Sequence, residues 1–311
     1  MFRDFKSSIP NIPANAQWAQ NGVTVAGGNK KGSAANQLLW PGGLFVDDDQ
    51  SILVADHGKY CIFQWKKDDT NGQVVAGGNG LGHQLDQLNR PVGVLVDKET
   101  DSLIICDKGN YRVVRWSRRS GTTQGEILIQ HIHCGGIAMD DQRNLYVSDI
   151  NNHEVRRYRI GGKTGTLVAG GNGQGADLNQ LDRPGHIFVD RQQNVYVSEY
   201  WNHRVMKWQK GATEGITIAG GQTEGDAITQ LNHPGGLLVD TSDTLYVADS
   251  HNRRVLRWPQ GAKQGTVIVG GNGWGEGANQ FHMPTDVSFD QHGNLYVLDY
   301  GTTRVQRFSI Q

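Results

Sequence analysis

Residues 234–283 read PGGLLVDTSDTLYVADSHNRRVLRWPQGAKQGTVIVGGNGWGEGANQFHM, and the same pattern restarts at Pro284. Earlier copies begin at Pro41, Pro91, Cys134 and Pro184, at intervals of 50 residues with one interval of 43. A fixed period of this size marks a repeat architecture, whose units cannot bury their faces alone and must stack. Within the unit, four short β signals are evenly spaced: GLLVD at 236–240, TLYVAD at 244–249, RVLRWP at 254–259 and TVIVGG at 266–271. They are called strands a, b, c and d. Gly, Asp, Asn and Ser fall between them, the chemistry of turns. Six units of four antiparallel strands give an all-β, six-bladed β-propeller with almost no helix.

The two ends of the chain complete each other. Residues 22–40 match only the back of the unit, and 284–311 only the front. A ring cut inside one blade produces this, so 22–28 is expected to supply the outer strand of the C-terminal blade and leave no open edge. The expected organisation is an N-terminal arm at 1–20 and one propeller domain at 21–311, with blades starting near 41, 91, 134, 184, 234 and 284. The second unit omits the glycine-rich connector after strand d, which predicts a notch between blades 2 and 3. Elsewhere that connector (GGNGQG at 170–175, GGNGWGEG at 270–277) imitates a phosphate-binding loop. No helix follows it, so it is read as a blade-to-blade crossing.

Composition narrows the function classes. Lys and Arg (30) nearly balance Asp and Glu (31), so no global basic field points to nucleic acid or an anionic membrane. No apolar run is long enough to span a bilayer. Cys61, Cys106 and Cys134 occupy unrelated places in the repeat. Three free thiols are expected, leaning toward a reducing compartment. Cytoplasmic location is expected of a complete chain, and an extracellular one if the chain is a fragment. A monomer is expected.

The b–c turns read ADHGKYCI, CDKGNYRV, SDINNHEV, SEYWNHRV, ADSHNRRV and LDYGTTRV. With the Pro-Gly starts and the Leu-Tyr-Val-x-Asp strands, they resemble the NHL-repeat family over about residues 22–311. Its namesake triplet lies in this turn as an acid, two variable residues, then Asn-His or Asn-Arg. The resemblance implies a propeller. It leaves function open, since such propellers occur in ubiquitin ligases, kinases, lyases and RNA-binding repressors. The strand-ending carboxylates (Asp56, Asp107, Asp149, Asp249 and Asp299) are read as turn braces, and the strand c aromatics (Trp65, Trp116, Tyr158, Trp208, Trp258 and Phe308) as blade packing.

Candidate site residues are the departures from the repeat at positions expected to face the channel mouth. They are Trp40, Arg183 and His233 before the blade start; His186 and Asp286 where four blades have Gly; and Glu199, Tyr200, Trp201, His251 and Tyr300 in the b–c turns. The reading is a binding or scaffolding module for a protein, peptide or small-molecule ligand, without a cofactor; RNA is less favoured. The alternative is a small-molecule lyase or hydrolase working in the channel, in its metal-dependent form with His186, His233 and Asp286 as ligands. In the amidating lyases of this resemblance the zinc histidines directly follow the blade-start Pro. Here those positions are Gly42, Val92, Gly135, Gly185, Gly235 and Thr285, so that site is not carried over. Strictosidine synthase-like enzymes use a channel glutamate, for which Glu199 is the candidate.

Overall fold

A computed structural model describes residues 10–221 and 223–311. It contains six four-stranded antiparallel sheets arranged as blades. Blade 1 comprises Pro41–Val46, Ile52–Asp56, Cys61–Trp65 and Gln73–Gly77. Blade 2 comprises Pro91–Asp97, Ser102–Asp107, Arg112–Ser117 and Glu126–Gln130, and blade 3 Cys134–Met139, Asn144–Asp149, Glu154–Arg159 and Thr166–Gly170. Blade 4 has Ile187–Val189, Val195–Glu199, Arg204–Trp208 and Ile216–Gly220. Blade 5 has Pro234–Val239, Leu245–Asp249, Arg254–Trp258 and Thr266–Gly270. Blade 6 has Pro284–Phe289, Leu295–Asp299 and Arg304–Phe308.

Blade 6 takes its outer strand from Val23–Gly27, with Val23 opposite Arg307 and Gly27 opposite Arg304. The ring therefore closes where the split unit predicted. The arm before it packs on the ring: Ile12, Ala16 and Trp18 are buried. Trp18 stacks on Phe289 and donates its indole N–H to the Gly293 carbonyl at 2.9 Å. Residues 1–9 of the expected arm lie outside the described residues.

The core is a series of inter-blade layers, each built from strands of two adjacent blades. All six strand c aromatics are buried in these layers. The a–b turns repeat one device. Asp140, Asp190, Asp240 and Asp290 accept turn backbone N–H groups and the hydroxyl of Tyr146, Tyr196, Tyr246 and Tyr296 respectively.

The b–c turn motif clamps the connector that precedes each blade. In blade 5, Asp249 pairs with Arg254 at 2.8 Å, and the Arg254 guanidinium also donates to the carbonyls of Asp226 and Ala227. Asn252 bridges Asp249 and the Gly225 carbonyl. Arg112 and Arg204 do the same in blades 2 and 4. Blade 1 has Cys61 in the Arg slot, and Lys59 reaches the connector carbonyls instead. Blade 3 has Glu154 there, and its preceding connector is residues 131–133 alone. With no long connector to clamp, Glu154 pairs with Arg156 on its own strand.

The cysteine expectation is corrected. Cys106 and Cys134 form a disulfide, with Cα atoms 5.8 Å apart, and Cys61 is free and buried. Cys106 lies on strand b of blade 2 and Cys134 at the start of blade 3. The short connector places them face to face, a relation between blades that position within the repeat does not reveal. The lean toward a reducing compartment loses its basis. Among the described residues no helix is long and apolar enough to cross a membrane.

Candidate functional site

Strands a line a central channel that opens at both ends. Its neck is set by the residue two places after each blade start. Gly43, Gly136 and Gly236 fill this position so tightly that a Cβ would meet a neighbouring blade at 2.4, 2.7 and 1.9 Å. His186 and Asp286 break the ring of glycines. His186 Nδ1 lies 3.6 Å from Asp286 Oδ1, across blade 5, and the atom a Cβ on Gly236 would strike is that same Oδ1. Asp286 also accepts the N–H groups of Leu44 at 2.8 Å and Val287 at 2.9 Å. Burial pushes its carboxyl above the ordinary range, against the pull of His186.

The end bearing the a–b turns holds a cavity of about 780 Å³. Part of its charged rim is paired within the fold: Lys98 with Asp48, and Arg143 with Asp97 and Glu99. The end bearing the b–c turns holds a cavity of about 420 Å³, lined by Val92, Lys108, Ile150, Arg183, Tyr200 and Trp201 above His186. Here the blades differ most.

Blade 4 supplies the aromatic side. Its b–c turn puts Tyr200 and Trp201 on the rim, ring centroids 5.2 Å apart, with Trp201 51% exposed. The Tyr200 ring packs on His233 at 4.3 Å, and its hydroxyl lies 2.9 Å from His251 Nε2. His233 stacks on His251 at 4.1 Å and meets His203 edge-on at 4.5 Å. Burial, then the imidazoles of His251 and His203, push His233 down to about 4, so it is neutral at pH 7. Trp40, Arg90, Arg183 and His233, each just before a blade start, hold left-handed backbone with φ of 58°, 52°, 46° and 54°. That region favours glycine, so side chains are retained there at a conformational cost.

The candidates separate into groups. Arg183, His186, Tyr200 and Trp201 line the b–c cavity, and Asp286 completes the neck. His233 and His251 back the aromatic wall. Trp40 and Tyr300 line neither cavity. Glu199 is corrected: it is fully buried, pairs with Arg204, and accepts Asn202 at 2.6 Å and the Asp182 N–H at 2.9 Å. It braces the turn as Asp249 does in blade 5, and faces no solvent.

The metal set is corrected in the same way. His186 and Asp286 meet, but His233 sits instead with His203 and Glu224, whose ligand atoms lie within 4.8 Å of one another. In that group His203 Nδ1 accepts the His233 backbone N–H at 3.3 Å, which puts the proton on Nε2, the atom facing Glu224 at 3.9 Å. A metal on that nitrogen would require the contact to be given up. Sequence reasoning missed Lys108, which was legible as a lone lysine in a variable turn slot, and His203, which was hidden inside the motif triplet.

Solved structures similar to this one share its architecture. A gluconolactonase from Xanthomonas campestris matches with TM-score 0.66 and 14% identity, over 99% of each chain. An auxiliary nutrient binding protein from Bacteroides thetaiotaomicron matches with TM-score 0.70 and 15% identity, over 94% of this chain and 77% of that one. Virginiamycin B lyase from Staphylococcus aureus matches with TM-score 0.58 and 10% identity, over 94% and 99%. At these identities the likeness is one of fold. Among curated protein sequences none matches the chain. The NHL repeat model matches residues 281–308, the front of blade 6 with the end of its connector. The unit recurs around the ring, and together with the six four-stranded blades this match supports an NHL-repeat propeller.

Proposed function

We propose that this propeller is a binding module that takes a peptide or small molecule at the b–c mouth of its channel. The carrying observation is the blade 4 turn. It sets Tyr200 and Trp201 over a concave, partly apolar cavity, where the corresponding positions of blades 1, 2 and 6 end in glycine. Concave sites with aromatic walls and a few convergent polar groups are where ligands bind. An exposed Trp braced by Tyr and His is a rigid anchor with little entropy to lose. Titration calorimetry of the intact protein and Trp201→Ala against a panel of peptides and small molecules tests this. Ligands of the wild type should weaken on the variant. A ligand that binds both proteins equally places recognition elsewhere.

One observation favours a second reading, a lyase or hydrolase. His186 stands at the cavity floor with a buried carboxylate beside it, an arrangement suited to general base chemistry. Proteins of this fold include enzymes named a lyase and a gluconolactonase. Under that reading His186→Ala abolishes turnover of any processed ligand while its binding persists. Under the binding reading the ligand is recovered unchanged from the wild type.

A further inference from the structure

The two cavities differ in charge. Asp and Glu residues recur around the a–b cavity, and the residues lining the b–c cavity include none. The b–c cavity does have cations. Lys108, from the blade 2 turn, lines it, and no carboxylate lies within ion-pair distance of it among the described residues. Burial, and then the charge of Arg90, push Lys108 below its ordinary range. His57 of blade 1 is lowered by burial and by both of these cations. Arg183 lines the cavity from the other side, with only a 4.0 Å approach to Asp182.

Holding Lys108 partly desolvated beside a second cation is unfavourable, and an anion relieves it. Arg90 and Arg183 are moreover held in left-handed backbone, so their side chains are kept there at a cost. Between the cations of blade 2 and the Tyr200–Trp201 wall of blade 4 stands blade 3, whose entry connector is reduced to residues 131–133. The cavity floor between them is apolar, with Val92 and Ile150. We infer that the b–c mouth recognises a small organic anion, its carboxylate or phosphate group set against Lys108 and its planar apolar body against Trp201 and Tyr200. This rests on the proposed binding function and specifies its ligand class.

The test uses three probes with one aromatic body: naphthylacetate, naphthyl phosphate and the neutral naphthylacetamide. Each is titrated calorimetrically into wild type, Lys108→Met and Trp201→Ala, with thermal melting as the folding control. At least one anion should bind the wild type about tenfold more tightly than the amide, as a charge-assisted contact implies. Whichever anion prevails identifies the head group. Lys108→Met should remove the preference and leave the amide affinity within roughly twofold. The inference is overturned if the wild type binds anion and amide equally, if the preference survives in Lys108→Met, or if neither anion binds at millimolar concentration. If all three probes bind alike and all weaken on Trp201→Ala, the mouth remains the binding site and only the charge inference falls. If probes bind and Trp201→Ala weakens none of them, the mouth reading itself falls.

Discussion

The two ends of the channel are made from the same repeat and have opposite characters. At the a–b end, blades 3 to 6 place an aspartate in the same turn, and each carboxylate is used up on backbone N–H groups and a tyrosine hydroxyl. At the b–c end, the acid of the motif is turned inward to clamp a connector, and the two residues after it vary from blade to blade. What repeats is consumed by the fold. Of what departs, Lys108, Arg183, Tyr200 and Trp201 line the b–c cavity. The overall charge of −1 conceals this division: carboxylates recur around the a–b cavity and none lines the b–c cavity.

The largest effect should come from opening the ring that holds both ends in register. Removing residues 1–28 takes away the strand Val23–Gly27 and the buried Trp18, and bares the edge of Arg304–Phe308. Such an edge is a template for association, so the truncated protein should aggregate or sediment as oligomers. A monomer with an unchanged melting temperature would show that the strand does not close the ring. Trp18→Ala alone should cost about 3–5 kcal/mol in urea unfolding, the range for truncating a buried aromatic.

The clamp comes next. Asp249→Ala leaves the Arg254 guanidinium buried beside its connector without its carboxylate, and should destabilise by about 3–5 kcal/mol. Glu199→Ala should behave alike, since Glu199 is the same brace in blade 4. A Glu199 variant of normal stability but lost ligand binding would restore it as a channel residue. At the variable end the ranking reverses. Trp201→Ala should weaken ligand binding by about 1–4 kcal/mol while leaving the melting temperature nearly unchanged, because half of its surface is already exposed.

The smallest effect concerns the imidazole group behind the aromatic wall. His233 titrates near 4 in the folded protein against an ordinary 6.5. Between those values the unfolded chain binds the proton and the folded one does not, so the His233 contribution to stability is present above pH 6.5 and lost as pH falls toward 4. Asp56, raised to about 6 chiefly by burial, works in the opposite sense over the same range. The wild type must therefore be compared with His233→Asn, whose side chain suits left-handed backbone. The variant should lose less stability than the wild type on acidification from pH 7 to 4.5. Parallel curves would show that His233 is not held neutral.

The fold was legible because it is written six times. The period placed the blades, the split unit placed the closure, and the aromatic of strand c placed the inter-blade layers. Relations between blades were harder to read. Cys106 and Cys134 share no slot in the repeat, yet the missing connector brings them together. His186 and Asp286 share one slot and meet only because Gly236 between them has no side chain. Glu199 was chosen for departing from Asp, but a carboxylate one methylene longer performs the same bracing. Lys108 was passed over because a lysine in an exposed-looking turn is ordinary until its neighbours are known to be cations too.

The central claim is that the departing end, not the repeating end, receives the ligand. The most direct measurement is a crystal structure of the protein soaked with naphthylacetate and naphthyl phosphate in turn. The account predicts the aromatic body against Trp201 and Tyr200, with the anionic group toward Lys108. A probe seated in the a–b cavity, with the b–c mouth empty, would contradict it.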